Sequence, residues 1–303
     1  MSSRARTPGP TARVPAARIP AAPASAALAL APPPDPPELP PSARPPWRWG
    51  YGFAAMGAGL VVVVAAGFPL LPIALLSGID GAVGALAILA LILVQDAAFV
   101  AAAVFFAGRR SRPRAWHFGL RSTAVKRTLA LTVGVTLAVL GFELGFAELV
   151  EIDEGGIDQL GANEGFVTAL CFSLAAIVVA PVAEELFFRG FFYRALRNRL
   201  RVWSACLVNA VVFSSLHLQY LVVPWVLVVI AVFGVAACLL YEHTGSVFGP
   251  IAMHVAFNTL ATAGTDVGYV VPIAVGVAVL AACVLVAVRL GPAPSPFPPA
   301  ARA

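Results

Sequence analysis

Charge is what this 303-residue chain has least of: Asp, Glu, Lys and Arg together make up 12% of it, against 60% hydrophobic residues and a mean hydropathy of +0.88. A soluble domain carries about twice that share of charge, so a soluble globular fold is excluded. Lysine occurs once, as Lys126. The four cysteines (Cys171, Cys206, Cys238, Cys283) have no short-range pairing and lie in apolar segments, as small buried hydrophobes do. No H-E-x-x-H is present, which removes the usual helical zinc-protease signature. Strand-like alternation is absent too, which excludes a membrane β-barrel.

What is present instead is a series of continuous apolar runs, many reaching the roughly 20 residues needed to cross a bilayer as a helix. The expected class is all-α: a polytopic membrane protein of about eight spans near 51–76, 82–107, 128–148, 164–193, 202–219, 220–241, 247–263 and 270–290. Only "LQY" separates the fifth and sixth, with Pro224 placed to turn the chain. Residues 1–46, rich in Pro, Ala and Arg, read as a disordered tail. Residues 47–291 form the membrane domain, and 292–303 are a Pro-rich C-terminal tail. Trp47, Trp49 and Tyr51 read as an interfacial anchor.

Basic residues fill the N-terminal tail, "RRSRPRAWHFGLRSTAVKR" after the second span, "RNRLR" after the fourth and Arg289 after the eighth. The loop "EIDEGGIDQLGANEG" is acidic, with neither Lys nor Arg. An eight-span count puts every basic segment on one side. The positive-inside rule then puts both termini in the cytoplasm of a multi-pass plasma-membrane protein. The net charge of +5 is a topology signal, not a nucleic-acid footprint.

Within the fourth span, "PVAEELFFRGFFYR" places three charges where each costs several kcal/mol. Residues four apart share a helix face, so Glu185 and Arg189 can pair, while Glu184 is rotated by about 100° and needs another role. A buried carboxylate without a cation becomes a useful base near neutral pH. The bland alternative is a packing ion pair with Glu184 lining a water cavity. His217 ends the fifth span, and His254 and Asn258 lie four apart in the seventh. At about 1.5 Å per residue, Glu184, His217, His254 and Asn258 come about 16, 22, 10 and 16 Å deep, all in the middle half of the bilayer. Gln95 and Asp96 in the second span and Glu143 and Glu148 in the third line a cavity or meet basic partners; no catalytic role falls to them.

"EELFFR", "FSSLH" and "HVAFN", in this order on separate spans, resemble the motifs of the CAAX-prenyl-protease and bacteriocin-processing (Abi/CPBP) family of intramembrane proteases. The resemblance covers about residues 120–262 and includes the lead-in "FGLRSTAVKR". It implies an endopeptidase cutting a membrane-associated protein or peptide. Glu184 would be the general base, His217 would hold the water, and His254 and Asn258 would stabilise the oxyanion. Glu185 and Arg189 would be a structural pair. No cofactor is required on this reading; the alternative, suggested by the family's metalloprotease label, is a zinc ion on Glu184, His217 and His254. Two other functions stay open: a non-catalytic immunity or scaffold protein of the same fold, and a proton-coupled transporter. The lack of an internal repeat weighs against the transporter. A composition rich in Ala, Arg and Pro points to a GC-rich bacterial genome, where a bacteriocin leader, a signal-peptide remnant or a membrane regulator replaces a prenylated substrate. Oligomeric state is not legible.

Overall fold

Eight helical rods lie where the apolar runs predict them in a computed structural model, which describes residues 45–77, 82–150, 166–217, 224–263 and 268–290. They are α1 (Gly50–Leu76), α2 (Ala82–Gly108), α3 (Val125–Leu149), α4 (166–197), α5 (Val202–Ser215), α6 (Pro224–Thr244), α7 (Phe248–Thr262) and α8 (Val270–Arg289). The described residues contain no strand. Both expected tails lie outside the described residues but for Pro45 and Pro46. The acidic loop after α3 and the short link between α5 and α6 lie outside them as well.

Six of the rods are long and apolar enough to cross a membrane. Together with the family reported below, they make this a multi-pass membrane protein. The expected count of about eight is not reached by length: α5 has 14 residues and α7 has 15. At about 1.5 Å per residue each is little over 20 Å long, short of a hydrocarbon layer of roughly 30 Å.

Apolar residues surround α1, α2, α3 and α8, whose large side chains are widely exposed in the free chain, as lipid-facing helices require. α4 is different. Every residue from Phe187 to Leu196 is buried, so neighbouring elements cover this stretch of α4 on every face. α1, α2, α5, α6, α7 and α8 all pack on it, and α3 packs on α6 and α7.

α4 is also not a uniform α-helix. Its turns widen to π-type hydrogen bonding over Ala175–Val179 and again over Leu186–Tyr193. Pro181 explains the first: it has no N–H to give to the preceding turn, and its ring crowds that turn's carbonyl. Two asparagines from neighbouring helices cap carbonyls in these widened stretches. Asn258 Nδ2 donates to Ala176 O at 2.7 Å, and Asn209 Nδ2 donates to Phe188 O at 2.9 Å.

One end of the bundle is tied by polar contacts. A single 3₁₀ turn, Ala115–Phe118, packs down on α4 at Gly190, where an added Cβ would lie 2.7 Å from the Phe118 carbonyl oxygen. Arg194 donates to the carbonyl of His117, and Arg121 to that of Gly245. Arg197 meets Glu242 at 2.8 Å, and Glu242 also accepts from Tyr193 Oη at 2.9 Å. Asn198 Nδ2 donates to the carbonyls of Pro45 and Trp47, at 3.0 and 2.8 Å. The segments before α1, between α2 and α3, after α4 and between α6 and α7 therefore share this end. Trp47 departs from its expected role as an interfacial anchor. Its ring is 2% exposed and packs on Phe118 and Phe191 at 5.2 and 5.0 Å. Only Trp49, 52% exposed, keeps the position of an anchor.

Candidate active site

The i, i+4 spacing in α4 does pair Glu185 with Arg189: Oε1 accepts from Nη1 at 2.8 Å, with both side chains fully buried. Arg189 is committed further. Nη2 donates to the carbonyl of Gly234 at 3.2 Å, and the guanidinium lies 4.6 Å from the centre of the Phe213 ring. That carbonyl is reachable because α5 and α6 approach closely at Gly234, where a Cβ would meet the Ala210 backbone at 3.0 Å.

His254 joins the pair from α7. Its Nδ1 is 3.0 Å from the same Glu185 oxygen, so Arg189, Glu185 and His254 form one buried chain. The other ring nitrogen, Nε2, faces Glu184 Oε2 at 3.9 Å. That glutamate oxygen is buried and has no hydrogen-bond partner. The two adjacent glutamates thus differ as the helix geometry requires: one is held by a guanidinium, the other is not.

His217 sits at the end of α5. Its Nδ1 is 3.0 Å from the carbonyl of Phe213, which can only accept. Nδ1 therefore carries the proton, and Nε2 is the acceptor of the neutral ring. Both imidazoles pack on Phe213, with centroid distances of 4.9 Å for His217 and 6.2 Å for His254. Asn258, one turn beyond His254, spends one amide N–H on Ala176 O and retains a second.

Side chains outside the motifs also contribute. Phe213 supports both imidazoles and the guanidinium, although the motif marks it only as the residue four before a histidine. Asp96 of α2, next to Gln95, is 2% exposed. The signal for it was in the sequence, as a carboxylate in an apolar helix. Of the other acids noted there, Glu143 is half-buried and Glu148 exposed.

A zinc ion needs three converging protein donors and an open position. Among the described residues no three His, Cys, Asp or Glu side chains come together to hold a metal ion. One nitrogen of each site histidine is held, His254 Nδ1 by Glu185 and His217 Nδ1 by the Phe213 carbonyl, which orients the other nitrogen of each ring.

Residues 166–260 match a family described as type II CAAX prenyl endopeptidase Rce1-like. This segment is Rce1-like. It contains all six motif residues, and the family is the one that the three motifs resemble. A curated relative, "Uncharacterized protein YpbD" of Bacillus subtilis (strain 168), is 28% identical over 102 residues, covering 34% of this chain and 48% of the relative. The chain thus spans about half the length of that relative. No solved structure matches.

Proposed function

We propose that the protein is an intramembrane endopeptidase that hydrolyses a peptide bond of a membrane-associated protein or peptide, with water activated by Glu184. The observation that carries this reading is the contrast within α4. Glu185 is neutralised by Arg189 at 2.8 Å and holds His254 at 3.0 Å, whereas Glu184 has no guanidinium within reach and faces the same imidazole at 3.9 Å. A carboxylate kept apart from the guanidinium next to it is suited to take a proton. The Rce1-like match, a family of proteases, supports the same reaction class.

Glu184 would remove a proton from water as it attacks the scissile carbonyl. His217 would hold that water by accepting at Nε2, and once the water has attacked, Nε2 would take the proton from Glu184 and give it to the leaving amine, returning both groups to their starting state. The oxyanion would be met by His254 Nε2–H and the second amide N–H of Asn258. With Nδ1–H donated to Glu185, an N–H on Nε2 makes His254 an imidazolium, and Glu184 and Glu185 on either side are suited to stabilise it. Glu185 and Arg189 would hold the ring rather than react. No step runs through a metal ion.

We place the protein in the plasma membrane with its Arg-rich end in the cytoplasm, from the loop charges. Its partners are then the bilayer and a membrane-associated substrate, with no nucleic acid. The test is comparative membrane proteomics of cells carrying the wild-type protein, Glu184→Ala or no protein. One membrane protein left uncut in both deficient strains is expected; identical proteomes in all three would overturn the proposal.

A further inference from the structure

The two adjacent glutamates end a short length of ordinary α-helix, Ala180–Glu185, with a widened stretch on each side: Ala175–Val179 before it and Leu186–Tyr193 after it. Each widened stretch receives one side-chain amide from a neighbouring helix. Asn258 of α7, on Ala176 O, belongs to the motifs; Asn209 of α5, on Phe188 O, belongs to none of them. Asn209 is fully buried, and an amide is costly to bury unless it is hydrogen-bonded. The Phe188 carbonyl can only accept, so Nδ2 faces it, at 2.9 Å; Oδ1 then accepts from the Cys238 thiol of α6, at 3.2 Å. One amide thus joins α4, α5 and α6 beside Arg189, whose Nη2 reaches Gly234 O of the same α6 at 3.2 Å.

Helix geometry gives the consequence of the second widening. A π-type turn takes up one residue more than an α-helical turn, and one residue is about 100° of rotation. The far end of the stretch is fixed: Arg194 donates to the His117 carbonyl, and Arg197 meets Glu242 at 2.8 Å. If Leu186–Tyr193 tightened to an α-helix, Ala180–Glu185 would turn by about 100° against that end. This is the angle between Glu184 and Glu185. The widening therefore decides which of the two acids each nitrogen of His254 meets.

We propose that Asn209 is a positioning residue for the reaction: by holding the Phe188 carbonyl it keeps this turn of α4 wide, and so sets the rotation at which Glu184 faces His254 Nε2. The proposal rests on the reading of Glu184 as the base. It gives a role to a fully buried amide that no motif includes, matching the one that Asn258 fills at the other widened stretch.

The first readout needs no substrate. Val182, before the widened stretch, is 38% exposed, while Pro181 and Ala183 on either side of it are buried. A turn of about 100° in either direction therefore puts position 182 where a buried residue now lies. A nitroxide is attached at Val182→Cys or, beyond the stretch, at Arg199→Cys, in full-length protein in lipid nanodiscs. The native cysteines are replaced, with Cys238→Ser keeping a donor for Oδ1. In Asn209→Leu, the Val182 label should lose most of its collisions with dissolved oxygen, and the Arg199 label should keep them. In cells, Asn209→Leu should leave uncut the same membrane protein that Glu184→Ala leaves uncut. A Val182 label that does not move, or two labels that change alike, would overturn the proposal. A Val182 label that moves while cleavage continues at the wild-type rate would overturn the role in the reaction. Should Asn209→Leu not fold, Cys238→Val in place of Cys238→Ser removes only the donor to Oδ1 and is read in the same way. The label reports on the turn alone, so an unmoved label leaves the proteolytic reading standing, and identical proteomes leave the result on the turn standing.

Discussion

His254 holds Glu185 with one nitrogen, at 3.0 Å, and faces Glu184 with the other, at 3.9 Å. A single imidazole on α7 thus reads both members of an acidic pair on α4, and Arg189 decides which of them is already neutralised. Fixing the ring requires Glu185. Leaving a base requires that Glu184 be turned away from the guanidinium. Adjacent helical positions supply both conditions, because neighbours differ by about 100° around the axis.

His117 gives a pH dependence at the tied end of the bundle, outside the spans. Its ring is 8% exposed, and Nδ1 accepts from the Arg114 backbone N–H at 3.1 Å. Burial, with the Arg194 and Arg114 guanidiniums nearby, holds the imidazole down at about 4. The folded value lies below the unfolded one of about 6.5, so the fold favours the neutral ring. Its contribution to stability is complete above about 6.5 and is lost as pH falls towards 4. Melting curves at pH 7.5 and 4.5 should show the wild type losing more than His117→Gln. Equal losses would remove His117 as a cause.

Topology is tested from the same end. Arg112 and Arg199 are both exposed and lie in segments tied to each other through α4. With the four native cysteines replaced, Arg112→Cys and Arg199→Cys should react with an impermeant maleimide only from the cytoplasmic side, and a cysteine within 151–163 only from outside. Opposite sidedness for Arg112 and Arg199 would contradict the shared end.

Zinc is a third case. With no three-donor set among the described residues, the purified protein should hold zinc well below one per chain, and chelators should inhibit weakly. One tightly bound zinc per chain, lost together with activity in His217→Ala, would count decisively against the glutamate mechanism.

How much of this was legible beforehand depends on whether a feature belongs to one helix or to several. The Glu185–Arg189 pair follows from spacing alone, and the rods follow from the length of the apolar runs. The bond from His254 to Glu185 spans 69 positions and depends on how α7 is rotated and shifted against α4. Helices that are apolar all round carry little sign of that rotation in their sequence. The same reason hid the burial of Trp47, which reads as an anchor until Phe118 and Phe191 close over it. The widened turns of α4 were signalled only by Pro181. The shortness of α5 was concealed because apolar residues continue past Ser215, whereas α7 lies within a residue of the 247–263 run at either end and is short only against the thickness of a bilayer.

The two glutamates should fail in different ways, and the His254 contact sharpens how. Glu184→Gln keeps the shape of the side chain and removes the base. Melting temperature should barely change, while cleavage falls by about 10²–10⁴, the usual contribution of a positioned acid–base group. Glu185→Gln leaves the Arg189 charge uncompensated in a fully buried site, where breaking a pair costs roughly 3–5 kcal/mol. Poor expression or a much lower melting temperature is expected. Replacing Arg189 with Met in the same chain removes that orphaned charge and should restore much of the stability. It should not restore activity, because His254 would still lack the carboxylate that orients its ring. The measurements are thermal melts and a cleavage assay on Glu184→Gln, Glu185→Gln and the Glu185→Gln/Arg189→Met double variant. A fully active Glu184→Gln beside a stable but inactive Glu185→Gln would mean that the two glutamates have the opposite roles. A double variant that regains both stability and activity would mean that the His254–Glu185 contact is packing and nothing more.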